Sequence, residues 1–282
     1  MQFSLLLPLL LLHLPIKSSS ISYIQCTSQC PKLTLTFDNP FSTFIDCPID
    51  RPDNFTTALV CEIDYRIDYD TKQIYLNFKA TNDSHLLDTH IPSEYLSQSI
   101  WLGFNSESNQ PNITHRAYAC NRNDDCARKF YHRTIRRLIN DGLIIVEEIK
   151  INLYNSSSEQ FRCRNNRTTV TCPYGLCYAL NIEKKQSCTS DRTATLFTEI
   201  EYRQPRNSSR ERQLIEYKCN RPLCNGHRMM EKIQNLLLDY THGISRKTHP
   251  VKSIRNDHQR LASNLLLLVL FAVLTFHYRI IY

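Results

Sequence analysis

Glycine is scarce: 5 residues in 282, where average usage near 7% would put about 20. Dinucleotide and P-loop sites need clustered glycines so that backbone can approach a phosphate. Gly103, Gly142, Gly175, Gly226 and Gly243 stand apart from one another, which excludes a nucleotide enzyme of those folds. The chain also lacks HExxH, Gly-x-Ser-x-Gly and Walker-type motifs, and it has no Cys-x2-Cys pair of the zinc-binding kind. No catalytic residue, cofactor or metal site is expected, and the reading is a protein without catalysis. The adjacent acids Asp124-Asp125 and Glu147-Glu148 read as a helix cap and a charged strand edge. Tryptophan occurs once, at Trp101.

Cysteine, by contrast, is abundant. The 12 cysteines are even in number, which points to disulfides and an oxidising compartment. Sequons at Asn54, Asn82, Asn112, Asn155, Asn166 and Asn207 add a secretory signature and mark expected glycosylation sites on exposed turns. Leu5 to Leu14 is too short to span a bilayer and suits the core of a signal peptide over residues 1–20. At the other end, residues 261–282 contain the apolar run Leu265 to Phe276, and two anchors are open there. One is a membrane span; the other is a glycolipid-anchor signal that would be removed. Arg246, Lys247, Lys252, Arg255 and Arg260 precede that run and only Arg279 follows it, against the positive-inside bias of a true span. The formal charge is +7. Without the two ends it falls to 32 basic against 27 acidic residues, and much of the excess lies in 241–260, a basic stalk. Nucleic acid is therefore not the expected partner. The cell surface is the expected location.

The cysteines divide six and six. Cys61-Glu62-Ile63-Asp64-Tyr65-Arg66 parallels Thr198-Glu199-Ile200-Glu201-Tyr202-Arg203, and Tyr118-Ala119-Cys120-Asn121-Arg122 parallels Tyr217-Lys218-Cys219-Asn220-Arg221. The expectation is a diverged duplication: cysteine-rich module 1 over 21–140, with an insertion at 79–117, and module 2 over 141–240. Period-two alternation in Leu33 to Phe37, Ile63 to Tyr69, Ile74 to Phe78, Ile149 to Leu153 and Leu196 to Tyr202 predicts antiparallel strands. Each module then ends in one helix. Ala127, Phe130, Tyr131, Ile135, Leu138 and Ile139 form the first stripe, capped by Asp124 or Asp125 and stopped at Asp141-Gly142. Met230, Ile233, Leu237 and Tyr240 form the second, capped by Asn225. The fold class is α+β: two disulfide-stabilised modules, each a small antiparallel sheet followed by one helix. Bridges Cys120 to Cys126 and Cys219 to Cys224 would tie the last strand to each helix start, although spacing alone leaves the pairing open.

The segment Cys219-Asn220-Arg221-Pro222-Leu223-Cys224-Asn225 resembles the closing Cys-x4-Cys-Asn of the Ly6/uPAR three-finger family, as does the setting of signal, cysteine-rich module and C-terminal anchor. That resemblance covers the second module. It implies pairs Cys163 with Cys177, Cys172 with Cys188 and Cys219 with Cys224, an Asn225 that supports the core, and a small β-rich module for extracellular protein recognition. Lys218 stands where the family has another cysteine, and the helix after Cys224 is foreign to three fingers.

The functional expectation is a membrane-anchored, glycosylated ectodomain for recognition or adhesion, whose partner is an extracellular protein or glycan. Trp101, Leu102 and Phe104, large apolar residues in a polar segment, are the candidate contact. A secreted ribonuclease or phosphodiesterase is the enzymatic alternative, drawing an acid and a base from His85, His90, His115, His132 and His227. A structural coat glycoprotein is the third reading. Arg128, Lys129, Arg133, Arg136 and Arg137 read as a solvated helix face or as a patch for an acidic ligand.

Overall fold

The computed structural model describes residues 22–28, 32–41, 55–87, 92–104, 111–156, 161–173, 175–204 and 212–242. The signal segment, Asn54, Asn207, Cys30, Cys47, His90, residues 243–260 of the expected stalk and the C-terminal apolar run all lie outside them; Thr241 and His242, expected in the stalk, are the last residues of a helix. In chain order the elements are β1 (Ile24–Thr27), β2 (Leu33–Thr36), β3 (Phe55–Ala58), β4 (Val60–Asp68), β5 (Gln73–Thr81), β6 (Glu94–Gly103), β7 (Ile113–Cys120) and α1 (Cys126–Leu153). Then come β8 (Phe161–Asn165), β9 (Thr168–Cys172), β10 (Leu176–Leu180), β11 (Lys185–Thr189), β12 (Thr195–Gln204), β13 (Arg212–Cys219) and α2 (His227–His242). The result is a sheet-rich α+β fold with two helices and several disulfides. Among the described residues, no helix is long and apolar enough to cross a membrane.

Nine strands form one antiparallel sheet in the order β11-β10-β13-β12-β6-β7-β4-β5-β2, while β1 pairs with β3 and β8 with β9. The two small sheets expected from the sequence are thus a single sheet, joined where β6 runs antiparallel to β12 from Glu94↔Gln204 to Gly103↔Thr195. The segment read as an insertion contains all of β6, a strand at the sheet's centre. Its alternation was hidden by Gln98, a polar residue that is only 1% exposed because the amide Nε2 donates to Thr241 Oγ1 at 2.8 Å. Topology separates the first of the two sequence parallels, since Glu62 lies in β4 and Glu199 in β12. The second parallel places Cys120 at the end of β7 and Cys219 at the end of β13.

Alternation decides which side chains go inside. Ile63, Tyr65 and Ile67 of β4 and Ile74, Leu76 and Phe78 of β5 are buried on the face that the helices cover. Tyr65 and Phe78 meet Tyr131 of α1 edge to face, with ring centroids 5.4 and 6.3 Å away, and Tyr118 stacks on Phe130 at 3.9 Å. Every residue of the expected first stripe is buried.

The helix nevertheless does not stop at Asp141-Gly142. It runs 28 residues to Leu153, burying Gly142, Ile145, Ile149 and Leu153 at helical spacing. Ile149, Ile151 and Leu153 are therefore helical. Ile151 faces solvent at 60% exposure, and Glu147 and Glu148 are helix residues, not a strand edge. Glycine is required at 142 for close packing: a Cβ there would lie 2.5 Å from Tyr69 Oη and 2.9 Å from Tyr240 Cε2. α2 buries Ile233, Leu236, Leu237 and Tyr240, in agreement with its expected stripe. The C-terminal end of this helix receives the buried Arg116 guanidinium, which donates to the carbonyls of Tyr240 and Thr241 at 3.4 and 3.3 Å. A cation suits that end of a helix.

Neither expected cap acts through its side chain. Asp125 stands at the N-cap position of α1 in a left-handed backbone, and its side chain makes no capping hydrogen bond. Its carboxylate instead accepts from Thr27 N at 3.1 Å and Thr27 Oγ1 at 2.8 Å and pairs with Arg128, while Asp124 accepts from Gln25 N at 2.9 Å. The two acids tie β1 to the start of α1. Asn225 reaches away from α2: its Oδ1 accepts from Arg164 N at 2.8 Å, and its Nδ2 donates to the carbonyls of Arg164 at 2.8 Å and Tyr178 at 3.0 Å. That one amide fastens β8 to β10.

Candidate recognition surface

Among the described residues five disulfides set the frame: Cys26–Cys61, Cys120–Cys126, Cys163–Cys177, Cys172–Cys188 and Cys219–Cys224. Both helix-start bridges expected from the sequence are present. So are the two pairs implied by the family resemblance. Their positions repeat: Cys61 of β4 lies directly opposite Cys120 of β7, and Cys177 of β10 directly opposite Cys219 of β13. In each case the first cysteine bridges back to a two-stranded ladder and the second bridges forward to a helix. The sheet orders β5-β4-β7-β6 and β11-β10-β13-β12 repeat as well.

Because the helices cover one face, the residues between the buried ones form the other. This open face carries Thr34, Tyr75, Asn77, Lys79, Asp64, Arg66, His115, Ala117, Ser97, Ser99, Trp101, Phe197, Glu199 and Lys218 in successive strands. One end of it is closed by residues 86–87, where Leu86 and Leu87 pack with Val60, Tyr95 and Ala119.

Trp101 opens onto this face. It is 45% exposed, and its ring lies 4.1 Å from that of Phe197 across the β6–β12 junction. Ile113 stands next to Trp101 in the register, so three apolar side chains of three adjacent strands form one patch. Leu102 and Phe104 are not part of it. They are 1% and 4% exposed: Leu102 alternates with Trp101 along β6 and points into the helix-side core. Phe197, which sequence reasoning did not single out, completes the patch. Its signal was the alternation of Leu196 to Tyr202, which puts Phe197 and Leu196 on opposite faces.

Among the described residues the candidate histidines do not converge. His115 lies on the open face, where its Nε2 is 2.7 Å from Asp64 Oδ1. That hydrogen bond raises the imidazole pKa and holds the Asp64 carboxyl below its ordinary value. His132 belongs to α1 on the opposite side, stacked on Phe41 at 4.9 Å, with burial pushing its pKa down. His85 is exposed in the segment after β5, and His227 begins α2. Of the basic residues of α1, Arg128 pairs with Asp125, Arg137 pairs with Asp141 at 3.5 Å and Arg136 lies over Phe41 at 5.0 Å.

The described sequons fall in or beside turns. Asn82 and Asn166 are exposed, while Asn112 and Asn155 are half-buried. Asn112 bonds Asp70 through Nδ2 at 2.7 Å and accepts from Gly103 N at 3.0 Å. Comparison with protein-family models, with curated proteins and with solved structures finds no match for this chain.

Proposed function

We propose that this chain is a membrane-anchored, glycosylated ectodomain for recognition outside the cell, built from two related disulfide-held modules and bearing its contact on the open face of the sheet. The observation that carries this reading is the repeated pairing of strand and bridge. Ladder, hairpin, second hairpin, closing cysteine bridge and helix follow one another in residues 24–153 and again in 161–242. Cys163–Cys177, Cys172–Cys188, Cys219–Cys224 and the bonds made by Asn225 also support kinship of the second module with the Ly6/uPAR three-finger family. Such modules use their surfaces for binding and their cores for disulfides, and the bridges suit an oxidising compartment.

Within that reading, Trp101, Phe197 and Ile113 are the anchor of the contact, since an exposed tryptophan beside half-buried apolar side chains on an otherwise polar face is the pattern of an interface hot spot. The separation of His115 and His132 on opposite faces weighs against the hydrolase alternative. The test uses the glycosylated chain secreted without residues 261–282. Saturable binding to cells that falls at least tenfold in Trp101→Ala/Phe197→Ala, with an unchanged melting temperature, is the expected result. Binding that is non-saturable, or indifferent to both substitutions, overturns the contact. Absence of the full-length chain from the cell surface overturns the localisation.

A further inference from the structure

The open face has a second feature, at the β2 edge of the sheet. β2 is four residues long and begins only at Leu33, so β4 and β5 continue past it and leave a groove of about 420 Å³. Sites for small ligands run to roughly 300–1,000 Å³. The register arranges its floor in rows: Thr34, Tyr75, Arg66 and His115 in one, Asn77 and Asp64 in the next, then Lys79. Lys32 flanks the end of β2. Three cations, Lys32, Arg66 and Lys79, thus surround one carboxylate, Asp64.

The cations are deployed unequally. Arg66 is held: its guanidinium lies 4.5 Å over the Tyr75 ring and 3.9 Å from Asp68. Lys32 and Lys79 are exposed, and both draw the Asp64 carboxyl toward its ionised form. Asp64 is already bonded to His115 through one oxygen, which leaves its second oxygen to accept. Around these charges stand a hydroxyl on Thr34 and an amide on Asn77. Asn77 is followed by Phe78-Lys79 and so is not a glycan acceptor.

We infer that this groove binds an anionic saccharide, with sulfate or carboxylate oxygens on Lys32, Lys79 and Arg66 and sugar hydroxyls on Asp64, Asn77 and Thr34. A lysine ammonium serves as a point charge for such oxyanions and a positioned guanidinium as a directional donor. The Asp64 carboxylate repels any oxyanion set against it but accepts from a hydroxyl, so the ligand that fits carries hydroxyls between its anionic groups. The Tyr75 ring carries Arg66 on one face, so no two-sided stacking platform is offered to a nucleobase. This inference takes only the extracellular setting from the recognition reading. It uses none of the Trp101 patch.

The probes are a heparin-type sulfated hexasaccharide and a hyaluronan hexasaccharide, which carries carboxylates alone, each titrated by calorimetry into the purified full-length glycosylated chain in neutral detergent. Three variants accompany the wild type: Lys32→Gln/Lys79→Gln in the groove, Arg133→Gln/Arg136→Gln on α1, and a stalk variant with Arg246, Lys247, Lys252, Arg255 and Arg260 changed to Gln. Loss of its charged contacts means that the groove pair should weaken binding by roughly tenfold or more, while the helix and stalk variants bind within about twofold of wild type. Whichever hexasaccharide binds in this way identifies the anion. Several results overturn the inference: neither hexasaccharide binding, loss of binding in the helix or stalk variant with the groove pair silent, or an oligonucleotide of matched charge binding equally well. Trp101→Ala/Phe197→Ala serves as a control and should leave saccharide affinity unchanged, so this site and the aromatic patch fail separately.

Discussion

The two halves of the chain share an order of elements and differ in what holds them. In residues 24–153 the strands β4 to β7 are eight to ten residues long, and the 28-residue α1 lays Phe130 and Tyr131 across them. Tyr65, Phe78 and Phe41 all pack edge to face on Tyr131, whose hydroxyl donates to Pro40 O at 3.0 Å. In residues 161–242 the matching β10 and β11 have five residues each, β12 and β13 keep ten and eight, and the helix has 16. Short strands bury little apolar area. There the ladder ends are closed covalently by Cys163–Cys177 and Cys172–Cys188, and Asn225 supplies further backbone partners. One topology therefore combines bridges with aromatic packing across long strands in one half and relies more on its bridges in the other.

The largest expected effect tests the aromatic half. Tyr131→Ala removes a fully buried ring and should destabilise the protein by about 4 kcal/mol, as large-to-small aromatic changes do. Urea unfolding followed by tyrosine fluorescence measures it. The β6–β12 ladder joins the halves through ten paired positions, so a single transition is expected. Two separated transitions would show the halves to be independent units and would break the comparison. Next in size is the bridge half: Cys163→Ala/Cys177→Ala opens a loop with a sequence separation of 14 and should cost about 3 kcal/mol. If the bridge substitution instead costs less than about 1 kcal/mol, packing and not cross-linking holds the second half as well.

A smaller effect probes the helix that crosses from one half toward the other. Gly142→Ala gains about 1 kcal/mol of helix propensity, but the new methyl meets Tyr69 and Tyr240, whose hydroxyls are bonded to each other in the core. Overpacking costs about 1–3 kcal/mol. A net loss of about 1 kcal/mol in urea unfolding is expected, and a gain would mean that the tyrosine pair can shift.

Gly142 also shows why the helix end was misread from sequence. Asp-Gly followed by alternating Ile, Lys, Ile, Asn and Leu has the form of a stop and a strand, yet Ile145, Ile149 and Leu153 are equally spaced by four. Periods of 2 and 3.6 coincide over so short a run. The strands β4 and β5 were legible because their alternation is unbroken for four cycles, and the stripes of both helices because six or four apolar positions agree. β6 was not, since Gln98 breaks the apolar series for a bond to Thr241 that is formed 143 residues away. Of the contact surface, Trp101 was visible and Phe197 was not, because the junction of β6 with β12 is a tertiary pairing with no local signal. Grouping Leu102 with Trp101 overlooked the alternation that sends neighbours to opposite faces. The groove likewise depends on Lys32 meeting Asp64 across β5, which only the register reveals.

The smallest expected effect compares the ion pairs on the open face. In the first half His115 pairs with Asp64; in the second, Lys218 Nζ lies 2.7 Å from Asp191 Oδ2. The first pair contains a histidine, whose charge changes near neutral pH. His115 is raised above its ordinary value of 6.5, so its contribution is complete below about pH 6.5 and is lost as pH rises through the higher folded value. Asp64 is lowered from 3.8, so the same interaction is lost as pH falls through that lowered value. Both side chains are nearly half exposed, at 45% and 44%, and solvent screening limits such a pair to at most about 1 kcal/mol. His132 has the opposite sign: burial depresses it, so its contribution is lost as pH falls below about 6.5. The wild-type profile thus mixes two slopes, and the difference between wild type and His115→Gln isolates the pair. That difference should favour the wild type at pH 5.5 and shrink by pH 8.5. An equal difference at both values would show that His115 acts by packing alone and that the charge on the open face does not change over this range.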